Sequence, residues 1–197
     1  MTGRTENSRP WGAIARIVTI GLLAIACATP LMRAQTDLYQ GRYDAAARGF
    51  TDVLARQPER IDAVVGLGVA RYKGGDLEGA AFMLDRALTL APKDLEARLY
   101  LALTHLRQSR DAQAEAQLAG LAAMPGVHPR LRAHVQRTRD LVAADGVIAD
   151  DVRTFVAAGL EDALEWDEDL VAARRLASLA VPAPHGWDHS DPYRWMR

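Results

Sequence analysis

A single cysteine, Cys27, stands in a chain of 197 residues, so no intramolecular disulfide and no cysteine-built metal cluster can form. Basic excess is missing as well. Lys and Arg number 24 against 25 Asp and Glu, leaving a formal charge of −1, with arginine far outnumbering lysine. Without a basic surface there is little to displace counterions from phosphates, which argues against nucleic acid as a partner. Because acids match the arginines, the plain reading of the charge is a solvated, mixed surface. Aromatics are few, at 6 %. Nor does the uncharged core near the N-terminus, Ile17 to Met32, reach the roughly 20 residues that a membrane-spanning helix needs; it holds 16 residues and includes Pro30. What is present is a 49 % hydrophobic composition, enough for one domain with short extras and too much for a disordered chain.

The chain is organised around Ala63 to Pro92, AVVGLGVARYKGGDLEGAAFMLDRALTLAP. This stretch reads as two short amphipathic helices about a turn at Gly74 and Gly75, closed by Pro92. Shifted by 34 residues, the sequence lies on itself. Ala46, Ala80 and Ala114 fall in register, as do Phe50, Leu84 and Leu118, the turn positions Gly41, Gly75 and Ser109, the small residues Ala34, Gly68 and Ala102, and the pair Pro58 and Pro92. A fixed period of this size is the signature of stacked helical hairpins, each too small to bury its own apolar face.

These residues resemble the tetratricopeptide repeat family, whose pattern runs tryptophan, leucine-glycine, tyrosine, alanine, an aromatic four on, and a closing proline. The second copy carries Leu67-Gly68, Ala80, Leu84 and Pro92, with Val64 and Arg71 where the aromatics would stand. The first matches in Tyr43, Ala46, Phe50 and Pro58, with Arg33 in place of the leucine. The third has Ala102, Ala114 and Leu118, and its proline, Pro125, comes one residue early. The resemblance covers about half the chain and implies an all-α helical hairpin array of about three repeats, spanning 29–58, 59–92 and 93–125.

Ahead of the repeats lies a leader, 1–28. Met1 to Pro10 is polar, with Arg4 and Arg9 against Glu6; the apolar stretch Trp11 to Met32 is broken only by Arg16, and Ala26-Cys27-Ala28 is a small-residue site. That combination describes an export signal, and arginine before the core would keep the N-terminus in the cytoplasm and send the rest across. Three outcomes stand: cleavage after Ala28, retention as an anchor in the inner membrane, and lipidation of Cys27, for which Ala24 occupies the usual leucine position. The 34-residue register starts the first helix near Thr29, a good N-cap, with Pro30 at the first helical position. Cleavage after Ala28 would therefore release a whole repeat. The expected location is the periplasm or its face of the inner membrane.

The family presents one face of each first helix to the concave side of its superhelix. At spacings of four and three, that face is Leu31, Gln35 and Leu38, then Val65, Val69 and Tyr72, then Leu99, Leu103 and Leu106. Three such helices would line a groove with more apolar surface than a soluble monomer normally leaves bare. Two occupants compete: the chain's own later helices, or an apolar helix or strand of a protein partner. Gln35, Val69 and Leu103 stand where a carboxylate clamp would need polar groups, so that mode is disfavoured. Lys73 and Arg107 at the rim could still steer an acidic partner.

Beyond the break at Pro125-Gly126, residues 126–180 read as C-terminal capping helices. Pro129 to Ala144 carries Leu131, Val135, Leu141 and Val142, with Arg130, Arg132, Arg137 and Arg139 as a solvated face. A further helix from Asp150 has the stripe Val152, Phe155, Val156, Leu160 and Leu164, and a shift of stripe near Trp166-Asp167-Glu168 favours a break before a second run, Leu170 to Ala180. The tail, 181–197, is rich in proline, and its Trp187, Tyr193 and Trp195 should dock on this protein or on a partner.

The chemistry-bearing residue types gather in that tail, as His185, Asp188, His189 and Asp191. Two histidines four apart bind zinc when a helix presents both, but Pro184 and Gly186 deny the helix and no third ligand is evident. Nothing pairs a nucleophile with a base, and Gly74-Gly75 is a hairpin turn, so neither catalysis nor a metal or other cofactor is expected. The sequence reads as a non-catalytic protein-binding scaffold. An assembly or maturation factor for an envelope or redox complex is the nearest alternative, and a metal-dependent activity at the tail histidines the more distant one.

Overall fold

The structure, a computed structural model, describes residues 29–144 and 148–180. The leader, with Cys27, and the aromatic and histidine-bearing tail lie outside those residues. Among the described residues there are eight helices and no strand: α1 Pro30–Tyr39, α2 Tyr43–Arg56, α3 Ile61–Gly74, α4 Leu77–Leu90, α5 Leu95–Arg107, α6 Asp111–Ala123, α7 Pro129–Ala143 and α8 Asp150–Ala180. The fold is all-α, a tetratricopeptide-type array of hairpins followed by α7 and α8.

Local chemistry sets where the helices begin. Thr29 takes the N-cap of α1, its hydroxyl accepting the Met32 N–H at 3.3 Å, and Pro30 occupies the first turn, where its missing N–H is no loss. Asp76 caps α4 by accepting from Gly79 N–H at 3.0 Å, and Asp94 accepts from Ala97 N–H at 2.8 Å as α5 starts. Pro58 and Pro92 each sit second in a four-residue turn, closed by Arg60 N–H to the Gln57 carbonyl and Asp94 N–H to the Ala91 carbonyl. Their fixed φ suits that place in a turn.

The three hairpin turns are built alike. Gly41, Gly75 and Ser109 have φ of 73°, 89° and 56°, the left-handed conformation that ends a helix without leaving its last carbonyls bare. In each, the left-handed residue donates to the carbonyl three back, and the next residue to the carbonyl five back: Gly41 to Leu38 and Arg42 to Asp37, Gly75 to Tyr72 and Asp76 to Arg71, Ser109 to Leu106 and Arg110 to His105. The 34-residue register of the sequence is thus a register of backbone geometry.

Two compact units divide the chain between Ala97 and Arg98, within α5. In the first, α1 packs on α2, α2 on α3 and α3 on α4. Its centre is α3, buried all round from Ala63 to Ala70 and again at Tyr72. Close approach is possible because α3 carries glycine at the contacts. A Cβ on Gly68 would stand 2.7 Å from Leu84 Cδ2, and one on Gly66 would stand 2.6 Å from Phe50 Cε1. Phe50 and Leu84, equivalent residues of successive repeats, are both fully buried.

In the second unit, Arg98 of α5 reaches Gln117 Oε1 of α6 at 3.2 Å, and α7 packs between α6 and α8. Leu131, Val135 and Thr138 of α7 face inward. Three of its four arginines are exposed, whereas Arg139 departs from the expected solvated face: it forks onto Glu115 of α6, with Nη2 to Oε1 at 2.8 Å and Nε to Oε2 at 3.2 Å. Two expectations for α8 need correction. The helix runs unbroken for 31 residues through Trp166, and over 150–166 its buried face is Arg153, Ala157, Leu160, Ala163 and Leu164. Val152 and Phe155 point outward instead, Phe155 with 80 % of its surface exposed. Leu160 and Leu164 of the expected stripe are buried, while at the start of the helix Arg153 takes the inward place that Val152 and Phe155 were expected to hold.

Candidate functional site

The residues proposed for the concave face lie on α1, α3 and α5. In the first unit, Leu31 is buried, Gln35 and Leu38 are half-buried, and α1 touches α3. Val65, Val69 and Tyr72 on α3 keep no more than 3 % of their surface, and Lys73 is half-buried. In the second unit, Leu99, Leu103 and Leu106 on α5 are buried and Arg107 is exposed. The apolar members of this face other than the half-buried Leu38 are therefore buried within their own units. Trp187, Tyr193 and Trp195 fall outside the described residues.

Lys73 borders a shallow polar depression in the first unit with Arg42, Arg48, Tyr43 and Asp44. The same unit has a cleft of about 490 Å³ between α1 and α2. Its floor includes Leu31, Ala34, Gly49 and Val53, and Arg33, Asp37, Asp52, Arg56 and Arg60 stand around it. Two of these charges are already engaged, since Asp37 pairs with Arg42, and Arg60 with Asp62 at 2.9 Å.

A feature that the apolar pattern did not reveal joins α5, α6 and α8 in the second unit. Arg153, 6 % exposed, donates through Nη1 to the Leu106 carbonyl at 3.2 Å, through Nη2 to Asp111 Oδ2 at 3.0 Å, through Nη1 also to Asp111 Oδ1, and through Nε to the Ile148 carbonyl at 3.2 Å. The Leu106 carbonyl is among the last of α5, which lack partners within the helix and carry the negative end of its dipole. Hydrogen bonds from Arg153 hold the Asp111 carboxyl below the usual carboxylate range, against the opposing pull of partial burial, and the same pairing raises the guanidinium further.

A second anchor lies along α7. Trp166 of α8 meets the His128 ring edge-on with centroids 4.8 Å apart, and the Arg130 guanidinium lies 4.9 Å from the indole centroid. His128 also caps α7, its Nδ1 accepting from Arg130 N–H at 3.2 Å. Next along the helix, burial together with the charges of Arg137 and Arg130 pushes the His134 imidazole below its ordinary value, with Asp162 of α8 pulling partly back.

Among the described residues, no three His, Cys, Asp or Glu gather to hold a metal ion, and no helix is long and apolar enough to cross a membrane. What the arrangement offers is surface burial: packed helices, an arginine seated between helix ends, and exposed apolar side chains at Tyr39, Phe82 and Phe155.

Comparison with known proteins agrees with this geometry. A profile of the tetratricopeptide repeat family matches residues 31–94, which hold the first two hairpins. The chain is similar to that family over this stretch; such repeats generally mediate protein–protein interaction and are typically non-catalytic. No curated protein matches the chain.

Proposed function

We propose that this chain is a non-catalytic scaffold that binds another protein, acting in the periplasm or at the membrane face to which residues 1–28 would deliver or tether it. The observation that carries the reading is the repetition itself: three hairpins closed by the same left-handed turn at Gly41, Gly75 and Ser109, two of them matching a repeat family that generally binds proteins. A fold of this kind supports many functions, so the reading rests on the array and on no catalytic constellation.

The partner engages the face made by Leu31, Gln35, Leu38, Val65, Val69, Tyr72, Leu99, Leu103 and Leu106, with Lys73 and Arg107 steering it. Because the apolar members of that face other than Leu38 are already buried, binding exchanges one apolar cover for another, the mode in which an amphipathic helix lies in a groove. Assembly or maturation of a larger envelope complex is a role such a scaffold could serve.

Two measurements test this. Residues 1–40 fused to a phosphatase that works only outside the cytoplasm should give an active reporter, and an inactive fusion sinks the location. Crosslinking in intact cells followed by purification from the membrane and soluble envelope fractions should return a discrete partner. Recovery of the monomer alone from both fractions contradicts the scaffold role.

A further inference from the structure

The cleft between α1 and α2 marks a departure from the repeat. In the second repeat the equivalent positions include Ala63, Val64, Leu67 and Met83, all buried; in the first they are Thr29, Pro30, Arg33 and Gly49, which line the cleft. Arginine in place of leucine, and glycine in place of methionine, open a space and set charge at its edge. This end of the array is therefore no bed for another apolar hairpin.

The floor is nevertheless apolar, at Leu31, Ala34 and Val53. Of the charges around it, Asp37 pairs with Arg42 and Arg60 with Asp62, whereas no described residue pairs with the side chains of Arg33, Arg56 or Asp52. Two unengaged guanidiniums stand against one carboxylate. An apolar floor with free arginines at its rim suits a ligand that is anionic at one end and hydrocarbon at the other, and a guanidinium meets phosphate oxygens with paired donors.

The sequence also says where such a ligand would come from. The charge-free run that begins at Ile17 does not stop with the leader: Pro30, Leu31 and Met32 carry it into the first turn of α1, and Arg33 closes it. At 16 residues it is shorter than the roughly 20 that span a bilayer, and a short apolar run draws its flanking residues down to the headgroups. On this side the flank is the mouth of the cleft.

We infer that the α1–α2 cleft is a lipid-headgroup site, in which Arg33 and Arg56 hold the phosphate of an anionic phospholipid and the apolar floor takes the methylenes next to it. Occupied in this way, the first hairpin stands end-on to the bilayer. The inference deepens the scaffold reading and rests on its membrane arm, the retention of residues 1–28.

The test uses the full chain and vesicles of phosphatidylcholine with or without phosphatidylglycerol. Co-flotation should favour the phosphatidylglycerol vesicles by about tenfold or more, and Arg33→Gln with Arg56→Gln should remove that preference. Lys93→Gln with Arg137→Gln, an equal loss of charge at other exposed positions, should keep it. Inorganic phosphate at matched ionic strength should leave it unchanged. A photoactivatable phosphatidylglycerol should label residues 29–60 of the unaltered chain as well as the leader, a readout that needs no variant to fold.

Equal loss of preference in the two charge pairs, or labelling confined to residues 1–28, overturns the inference. Displacement by inorganic phosphate also overturns it, because the cleft would then serve a soluble anion. Recovery of the chain from the envelope with Thr29 as its first residue removes the tether and this inference with it, while the scaffold reading, tested by its partner crosslink, still stands.

Discussion

At the scale of single residues, the turn positions are the most demanding. Gly41 and Gly75 adopt the left-handed conformation freely, but Ser109 holds φ of 56° with a Cβ, which opposes that geometry by roughly 1–2 kcal/mol. Ser109→Gly removes the opposition and returns part of it as chain entropy in the unfolded state. The net expectation is a gain of about 0.5–1 kcal/mol, read as a higher urea midpoint with unchanged slope. A loss would mean that the Ser109 side chain contributes more than its backbone costs.

Two ionisable groups of the second unit make stability depend on pH, both in the same direction. Asp111 is held below its ordinary value by Arg153, so its contribution is full above the unfolded carboxylate value, near pH 4, and is lost as pH falls through the lowered folded value. His134 is also held below its ordinary value, chiefly by burial. Unfolding therefore takes up a proton, and its contribution, present above about pH 6.5, is lost as pH falls through the lowered folded value. Urea melts between pH 3 and 8 should show His134→Gln flattening the limb below about pH 6.5 and Asp111→Asn flattening the limb below about pH 4. Unchanged limbs in both variants would contradict the assignment.

At the scale of elements, the register of the hairpins was legible because it rests on local chemistry: a left-handed turn, a proline in the connecting turn, and small residues where helices approach. Thr29 and Pro30 marked the start of α1 for the same reason. The close approach of α3 and α4 gives a direct check. Gly68→Ala forces a Cβ to within 2.7 Å of the Leu84 side chain and should destabilise the chain by about 1–3 kcal/mol, whereas the same change at exposed Gly74, where a Cβ would come no nearer than 3.6 Å to Tyr43 Cβ, should be neutral or slightly stabilising by helix propensity. Equal effects at the two sites would mean that Gly68 is not a packing contact.

The inward face of α8 was legible only in part, and the reason is physical. Periodicity selected Val152, Phe155, Val156, Leu160 and Leu164; Leu160 and Leu164 are buried as expected, but at the start of the helix the buried place belongs to Arg153, whose partner Asp111 lies 42 residues away. Arg139 was likewise read as solvated although it bridges to Glu115, 24 residues earlier. Long-range ion pairs leave no periodic trace. The stripe shift at Trp166 read as a break, yet the ring packs against His128 and Arg130 and the helix continues through it.

At the scale of the whole molecule, the array explains how a chain with few aromatics, one cysteine and a formal charge of only −1 could bind a protein: repetition supplies extended surface. Most apolar residues of the face proposed for the partner are buried in the described structure, whereas Lys73 is half-buried and Arg107 exposed, so these two are the positions from which the proposed recognition can be watched without disturbing the core. The most direct measurement places a photo-crosslinking residue at Lys73, at Arg107 and, as a control on another helix, at Phe82, which is 68 % exposed, and irradiates intact cells producing each variant. The account predicts one discrete protein adduct, the same from Lys73 and Arg107 and absent from Phe82. Adducts from Phe82 alone, or none from any position, would contradict it.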